Sequence, residues 1–241
     1  YRKIEITFSK GAFGEFAFDE VVESFMNLFP NTKEIFLRFP KQNDLEYFLW
    51  EKKEKFLFFL EEAKRLSEEH DVMISFIMET HQPVLVYKTF FLYSLKECLD
   101  SIQGYSVTIY LQNSLWLEEN RCTALEICKF FGNKQLKLCL NFADFCKKSQ
   151  ILQKDLFEYK KIYLEFTNVS KYMDLILFSD PDGNYHQTKE EFKKDLSLFD
   201  QETIKIILDA KEDSKENRFL QEREIGWFED KGEEYGTIST N

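Results

Sequence analysis

Glycine, proline and long hydrophobic runs are scarce in this chain of 241 residues. It contains 8 Gly and 4 Pro, too few for a collagen-like or low-complexity protein. No stretch approaches the roughly 18 uncharged apolar residues of a transmembrane helix, so we expect no membrane partner. Apolar residues still make up 44% of the chain. A disordered protein is therefore excluded, and the length suits a globular protein of one or two domains.

The sequence also lacks the clustered basic charge that binds nucleic acid. Asp and Glu number 43 against 32 Lys and Arg, a net charge of −11, and the basic residues are interleaved with acids, as in the run 51–55. Binding to phosphate backbones requires concentrated Lys and Arg. We therefore expect no nucleic-acid partner.

Cysteine pairs at metal-binding or redox spacing are missing as well. The five cysteines are odd in number, and no Cys-x-x-Cys occurs. This pattern argues against a disulfide framework and against a four-cysteine zinc site. Reduced thiols are typical of a cytoplasmic protein, and we expect that location.

What the chain does have is a regular alternation of short apolar runs and helical patterns. The runs are nearly continuous in apolar residues, which is typical of strands covered on both faces. Regular βα alternation predicts an α/β fold, and eight runs fit a (β/α)₈ TIM-type barrel. We predict one domain over 1–230 and a polar, flexible tail over 231–241. The runs are 3–8, 34–39, 72–78, 107–112, 136–142, 161–167, 174–179 and 204–209.

One βα unit is predicted to be irregular or missing. The runs 161–167 and 174–179 lie only six residues apart, and a parallel crossover needs about a dozen residues or more. Either one run is not a barrel strand or the helix between them has been lost. A helix over 171–178, capped by Ser170, is an alternative. The other helical patterns cover 18–29, 44–70, 115–131, 189–199 and 216–230.

The long helical pattern bears on the oligomeric state. Residues 56–60 are apolar on every side of a helix. Such a helix usually packs between a sheet and its neighbours, but it can also cover a second subunit. The sequence therefore leaves open whether the protein forms a homo-oligomer.

Polar side chains recur where the predicted strands end. In a βα barrel the chemistry lies at the carboxyl ends of the strands and in the loops that follow them. Two of the three histidines occupy such positions beside acids, either as metal ligands or acid–base groups, or as loop residues with no special task. The strand-end polar residues are Lys10, Arg38, Glu79, Thr80, His81, Gln112, Asn113, Asn141, Asp144, Glu165, His186, Asp209 and Lys211.

The order of these motifs resembles the xylose-isomerase-like barrel superfamily, which includes sugar-phosphate isomerases, epimerases and endonuclease-IV-type enzymes. The resemblance covers roughly residues 105–230. In that family, a strand ending in Glu-Asn is followed by one ending in Asp-x-x-His, then by further His, Asp and Glu positions that hold a divalent metal. The matching stretches are 110–113, 139–144, 163–168, 183–186 and 207–209.

Departures from the family pattern affect the metal more than the fold. Gln112 occupies the position of the family's Glu, Asn141 that of its Asp, Asp144 that of its His and Asp209 that of its final Glu. An amide oxygen is a poor ligand for a divalent ion unless other charges compensate. After these departures, the resemblance still implies a Zn²⁺ or Mn²⁺ site formed by Asp144, His186 and Asp209, with Glu165 as a further ligand.

The resemblance implies proton transfer beside a sugar carbonyl, and the sequence leaves open whether the protein is an enzyme. Glu165 or Asp209 would act as base, with His186 or His81 as acid. The substrate, a small sugar or sugar phosphate, would contact six residues at the strand ends, the basic ones holding a phosphate. The alternative is a degenerate barrel that binds a carbohydrate or a protein partner without metal. The six residues are Lys10, Arg38, His81, Gln112, Asn113 and Lys211.

Overall fold

The structure is a computed structural model. It describes residues 3–7, 18–28, 30–39, 44–80, 89–112, 123–167, 171–199, 204–208, 223–224, 226–227 and 236–239.

The described strands form one parallel sheet in chain order. The sheet order is β7-β6-β5-β4-β3-β2-β1-β8, so the last strand returns beside the first. Lys205 on β7 lies 3.0 Å from the Glu34 carboxylate on β2, although four strands separate β7 from β2. The sheet is therefore curled into a barrel. The strands are β1 Lys3–Thr7, β2 Glu34–Arg38, β3 Met73–Glu79, β4 Val107–Gln112, β5 Leu136–Asn141, β6 Met173–Phe178, β7 Lys205–Leu208 and β8 Gly236–Ser239.

Helices connect the strands, which confirms the predicted α/β barrel with one irregular unit. Among the described residues, two connections carry two helices each, and the other connections up to β7 carry one. None of the described helices combines the length and the hydropathy needed to cross a bilayer. The helices are α1 Phe18–Leu28, α2 Leu45–Glu51, α3 Lys53–His70, α4 Thr89–Ser101, α5 Thr123–Phe131, α6 Phe142–Ile151, α7 Leu156–Thr167 and α8 Lys189–Leu196.

The irregular unit lies between β5 and β6. The run 161–167, predicted as a strand, belongs to helix α7, and the run 174–179 supplies strand β6. The alternative helix over 171–178 is therefore wrong. Tyr159 and Tyr163 are both buried at a spacing of four residues, and Tyr159 stacks on Phe145 of α6 with ring centroids 4.6 Å apart. This aromatic packing needs the helical spacing, which a strand would not provide.

Two further elements differ from the expectation. The pattern over 44–70 is interrupted at Lys52, whose backbone adopts φ −135° and separates α2 from α3. Within the segment predicted as a flexible tail, residues 236–239 form strand β8 beside β1. A strand of four residues is held by hydrogen bonds to its neighbour rather than by its own composition. Composition alone therefore predicts such a strand only weakly.

Apolar side chains fill the space on both faces of the sheet. The larger cluster lies between the strands and the surrounding helices. A smaller one fills the barrel interior, with Phe36, Ile77, Tyr110, Cys139, Leu175, Leu177 and Ile207 as its members. The four described cysteines are buried as thiols rather than disulfides, and burial raises the pKa of the Cys98 thiol to about 12. A raised pKa disfavours the thiolate of Cys98, which is the nucleophilic form of cysteine.

Charged side chains close the amino end of the barrel interior. Asp174 is an extra residue between two paired positions of β6, because Met173 pairs with Leu138 whereas Leu175 pairs with Cys139. This bulge allows the Asp174 carboxylate to accept hydrogen bonds from the Tyr110 hydroxyl, at 2.6 Å, and from the Lys137 ammonium. A second pair of opposite charges, Lys205 and Glu34, lies at the same end.

Candidate active site

The carboxyl end of the barrel interior is lined by the last residues of its strands. Side chains alternate along a strand, so residues two positions apart share a face. Arg38 follows interior Phe36, Glu79 follows interior Ile77, and Gln112 follows interior Tyr110. These three polar side chains therefore lie on the inward face, each one step nearer the carboxyl end than the apolar residue that precedes it on its own strand.

Glu79 and Gln112 form the central contact of this end. They are paired positions on β3 and β4, and the Gln112 amide nitrogen donates to Glu79 Oε1 across 3.3 Å. Both side chains are buried, with 6% and 3% of their surfaces exposed. A carboxylate and an amide side by side offer acceptors and donors for more than one further hydrogen bond. A buried acid at this end of a barrel is a candidate functional group.

The end of β3 is fixed from its outer side by helix α2. Thr80, next to Glu79, donates from its hydroxyl to Glu46 Oε1 over 2.7 Å, and both residues are buried. Glu46 lies in the first turn of α2, which Asp44 caps by accepting from the Tyr47 amide at 2.7 Å. This chain of contacts determines where β3 ends and hence where the Glu79 carboxylate stands.

Asn141 and Asp144 lie at the start of helix α6 and contact each other there. Asn141, at the end of β5, is the N-cap of α6, and its Oδ1 accepts from the Asp144 amide at 3.0 Å. Asp144 is half-buried, and its carboxylate lies 3.7 Å from the Lys147 ammonium. An Asn that precedes a helix commonly acts as its N-cap. The amide oxygen of Asn141, which occupies a metal-ligand position of the resembled family, is therefore used by this cap.

His186 lies in the helix layer rather than in the barrel interior. Its ring stacks on Phe178, which belongs to the cluster between the sheet and the helices. Nδ1 is 3.0 Å from Glu224 Oε1, and Nε2 is 3.3 Å from Asp195 Oδ2. Burial lowers the pKa of His186, but the hydrogen bonds to Asp195 and Glu224 outweigh it and raise the pKa to about 9. His186 is thus a buried cation between two carboxylates.

The structure brings together some of the predicted site residues and not others. Arg38 and Gln112 lie at the carboxyl end of the interior, whereas His186 does not. Glu165, predicted at the end of a strand, is on helix α7. The remaining predicted residues, Lys10, His81, Asn113, Asp209 and Lys211, lie outside the described residues.

Glu79 is the residue that sequence reasoning undervalued. Its place at the end of a strand was visible, but no motif singled it out from the other polar strand ends. The partners of His186 had no signal at all, because nothing in the sequence connects position 186 with Asp195 or Glu224. Both depend on which side chains the fold brings into contact.

The described residues do not by themselves form a divalent-metal site. Among them, no group of three or more His, Cys, Asp or Glu side chains is arranged to hold a metal ion. Asn141 uses its amide oxygen in the helix cap, and both ring nitrogens of His186 face carboxylates other than Asp144. The predicted Zn²⁺ or Mn²⁺ site also requires Asp209, and it stays a prediction.

The fold is similar to that of solved sugar epimerases. The 3-keto-D-glucoside 4-epimerase of E. coli matches with a TM-score of 0.58 and 10% identity, over 95% of this chain and 100% of that one. A D-tagatose 3-epimerase-like protein gives 0.60 and 13%, over 95% and 89%. The D-allulose 3-epimerase of Methylomonas sp., in complex with D-allulose, gives 0.55 and 10%, over 87% and 73%.

This chain has the barrel fold of these epimerases. The likeness confirms the βα-barrel fold that the resemblance of the sequence motifs implied. No family model matches the sequence, and no curated protein is significantly similar to it.

Proposed function

We propose that this chain binds a small carbohydrate at the carboxyl end of its barrel and transfers a proton on it, as an isomerase- or epimerase-like enzyme. The observation that carries the proposal is the buried contact between Glu79 and Gln112 on the inward face. This contact supports the proposal, because a carboxylate and a hydrogen-bonding amide lie where barrels of this type hold their chemistry, and a carboxylate in such a position can act as an acid–base group.

The surroundings of this pair suit a sugar. Ile77, Cys139 and Leu177 of the interior cluster form an apolar layer on the same inward face, with Ile77 two residues before Glu79 and Cys139 paired with Gln112. A sugar presents C–H groups, which pack on such a layer, and hydroxyl groups, which pair with a carboxylate and an amide. A few polar groups over an apolar lining are typical of small-molecule sites.

The proposed reaction is proton transfer beside a carbonyl group. The Glu79 carboxylate takes the proton from the carbon next to the carbonyl, and the electron pair of that C–H bond moves to give an enediolate oxygen. N–H donors of Gln112 and Arg38 stabilise the negative oxygen. Return of the proton from Glu79 to the neighbouring carbon on the same face, while the hydroxyl proton passes to the enediolate oxygen, gives the isomer. The epimer requires a second acid that protonates the carbon from the opposite face, a role proposed for Asp209. The oxidation state of the sugar as a whole is unchanged.

The structural neighbours support the substrate class. They are epimerases named for sugars, and one of them is in complex with D-allulose. Arg38 adds a cation to the inward face, which suits either a sugar hydroxyl or a sugar phosphate. Lys10, Lys211 and Asp209 remain proposed contributors to the same site.

Deuterium incorporation from heavy water tests the proton transfer without knowledge of the product. The wild-type chain is incubated in D₂O with D-allulose, D-fructose and their 6-phosphates, with and without Zn²⁺ or Mn²⁺, and the carbon next to the carbonyl is followed by NMR. Glu79→Gln keeps the size and one hydrogen-bonding oxygen but removes the base. We expect it to slow incorporation by about 10²–10⁴-fold, while the sugar still binds.

The matched control is Glu97→Gln, which removes a carboxylate paired with Lys53 on the helix surface. Incorporation should be the same as in the wild type. If Glu79→Gln exchanged deuterium as fast as Glu97→Gln, the role proposed for Glu79 would be refuted.

A second candidate function is carbohydrate binding without chemistry. The amides of Gln112 and Asn141, at positions where the family has acids, favour it. It predicts that a sugar binds to the wild type, measured by calorimetry, but that no deuterium enters it. Gln112→Ala should then weaken binding, and Glu79→Gln should affect only affinity.

A further inference from the structure

Two neighbouring residues at the end of β3 are held from opposite sides of the sheet. Glu79 meets Gln112 at the carboxyl end of the interior, and Thr80 donates from its hydroxyl to Glu46 Oε1 of helix α2 over 2.7 Å. Thr80 has 0% and Glu46 has 5% of its surface exposed. Glu79 and Thr80 share one planar peptide unit, so a contact that fixes Thr80 also restricts the direction in which the Glu79 side chain leaves the backbone.

Helix α2 gives Glu46 a close-packed base. Phe48, on the same helix, is buried, and its ring lies 4.9 Å from that of Phe39 and 5.0 Å from that of Phe56. The backbone N–H of Phe39, just after β2, donates to the carbonyl of Ile77 on β3 over 3.1 Å. These contacts tie α2 to the last residues of β3, so the carboxyl group of Glu46 has a defined place relative to the strand that it contacts.

Stability by itself does not account for a glutamate at position 46. Removing a carboxyl group from water is costly, and a buried ionic contact can often be replaced by apolar residues of similar volume without loss of stability. The neighbouring residues Leu45, Phe48 and Leu49 of α2 are apolar and buried. To these surroundings the carboxyl group of Glu46 adds a hydrogen bond of defined direction to Thr80.

We propose that Glu46 is a positioning residue, which acts through Thr80 to fix the direction from which the Glu79 carboxylate approaches the substrate. This role rests on the proposed function, because it gives Glu46 a part in the proton transfer by Glu79. A carboxylate displaced by about 1 Å from the carbon that it deprotonates can lose about 10²-fold in rate, even when the change lies far from the chemistry. Glu46 lies on the outer side of β3, so its effect is expected on turnover rather than on sugar binding.

The kinetics of deuterium incorporation distinguish an effect on turnover from an effect on binding. Glu46→Leu removes the acceptor and leaves an apolar side chain, and we expect kcat to fall by about 10–100-fold while KM stays within about twofold. Glu46→Gln keeps an oxygen that accepts from Thr80 and should keep kcat within about threefold of the wild type. Wild-type kcat in Glu46→Leu, or a kcat in Glu46→Gln as low as in Glu46→Leu, would overturn the proposal.

Thr80→Val and Tyr110→Phe are a matched pair that separates positioning from stability. Each removes one hydroxyl that donates to a carboxyl group, over 2.7 Å to Glu46 at the carboxyl end of the barrel and over 2.6 Å to Asp174 at the amino end. Both variants should lower the midpoint of chemical denaturation to a similar extent. Only Thr80→Val should lower kcat, and adding Glu46→Leu to it should slow the reaction no further. An equal kcat in Thr80→Val and Tyr110→Phe would give the contact a structural role only and would contradict the proposal.

The side-chain amide of Gln112 provides a readout that does not depend on activity. Its N–H donates to Glu79 Oε1, and its NMR signals, assigned with Gln112→Leu, report whether that contact is kept. In Glu46→Leu and in Thr80→Val we expect these amide protons to exchange with water about tenfold faster than in the wild type. Glu46→Gln and Tyr110→Phe should keep the wild-type exchange rate.

The two readouts distinguish failure of this role from failure of the proposed function. If the wild type incorporates deuterium into none of the sugars, the proposed function fails, but faster Gln112 exchange in Glu46→Leu and Thr80→Val still supports the role of Glu46 in positioning Glu79. Unchanged Gln112 exchange in both variants would refute that role whether or not the wild type is active. If Glu46→Leu does not fold, Thr80→Val provides the same measurements.

Discussion

The two ends of the barrel interior handle buried polar groups differently. At the amino end, Lys205 faces Glu34, and Lys137 and Tyr110 both donate to Asp174, so opposite charges are matched. At the carboxyl end, the contact between Glu79 and Gln112 joins a carboxylate to a neutral amide. The comparison indicates that the contacts at the amino end hold the barrel together, whereas the carboxyl end places side by side the carboxylate and the amide on which the proposed proton transfer depends.

The largest effect on stability is expected from Asp174→Ala. The change leaves the Lys137 ammonium and the Tyr110 hydroxyl without their shared acceptor at a place where all three are largely buried. We expect a loss of about 3 kcal/mol in the free energy of unfolding, measured by chemical denaturation. Sugar binding at the other end should not change.

Asp100→Ala is the matched control for that variant. Asp100 also pairs with a lysine, Lys96, but both side chains are more than half exposed. Exposed pairs contribute little, so its cost should stay below about 0.5 kcal/mol. Equal losses in Asp174→Ala and Asp100→Ala would contradict the stabilising role of the amino end.

A smaller loss is expected from Lys205→Met. The methionine keeps most of the apolar stem, but Glu34, with 17% of its side chain exposed, loses its cation. We expect a loss of about 1–2 kcal/mol in unfolding free energy. Adding Glu34→Gln should restore most of it, since no uncompensated charge remains, and a double-mutant cycle measures the coupling. Additive losses would show that the two residues act separately.

The smallest effect on stability is expected from Glu79→Gln. Glutamine has nearly the same shape and keeps an oxygen that accepts from Gln112, so the unfolding free energy should change by less than about 1 kcal/mol. The same variant is expected to lose deuterium incorporation. A loss of stability as large as that of Asp174→Ala would mean that both ends serve the same structural purpose, and the comparison would fail.

Much of the architecture follows from periodicity in the sequence. Seven of the eight predicted apolar runs form strands, and the run 107–112 does so with the predicted bounds. The number of these runs and their alternation with helices were sufficient to predict a barrel, because few folds accommodate so many βα units. The six-residue gap before 174 identified the irregular unit, since a parallel crossover cannot be that short.

The candidate site was less accessible to sequence reasoning. The ends of strands were the right places to search, and Arg38 and Gln112 were found there. Motif likeness, however, favoured His186 and Glu165, which the fold puts in the helix layer and on α7. A motif fixes the order of residues along the chain but not the face of the sheet on which they lie.

By itself the sequence determined the α/β class, the order of most elements and the apolar residues of the core, because these follow from local hydrophobic spacing. Only the tertiary structure decided that 161–167 is a helix, that 236–239 joins β1, and that Glu79 meets Gln112. The physical reason is the same in each case. The energy that selects these arrangements comes from contacts between residues distant in the chain, and neither composition nor spacing records those contacts.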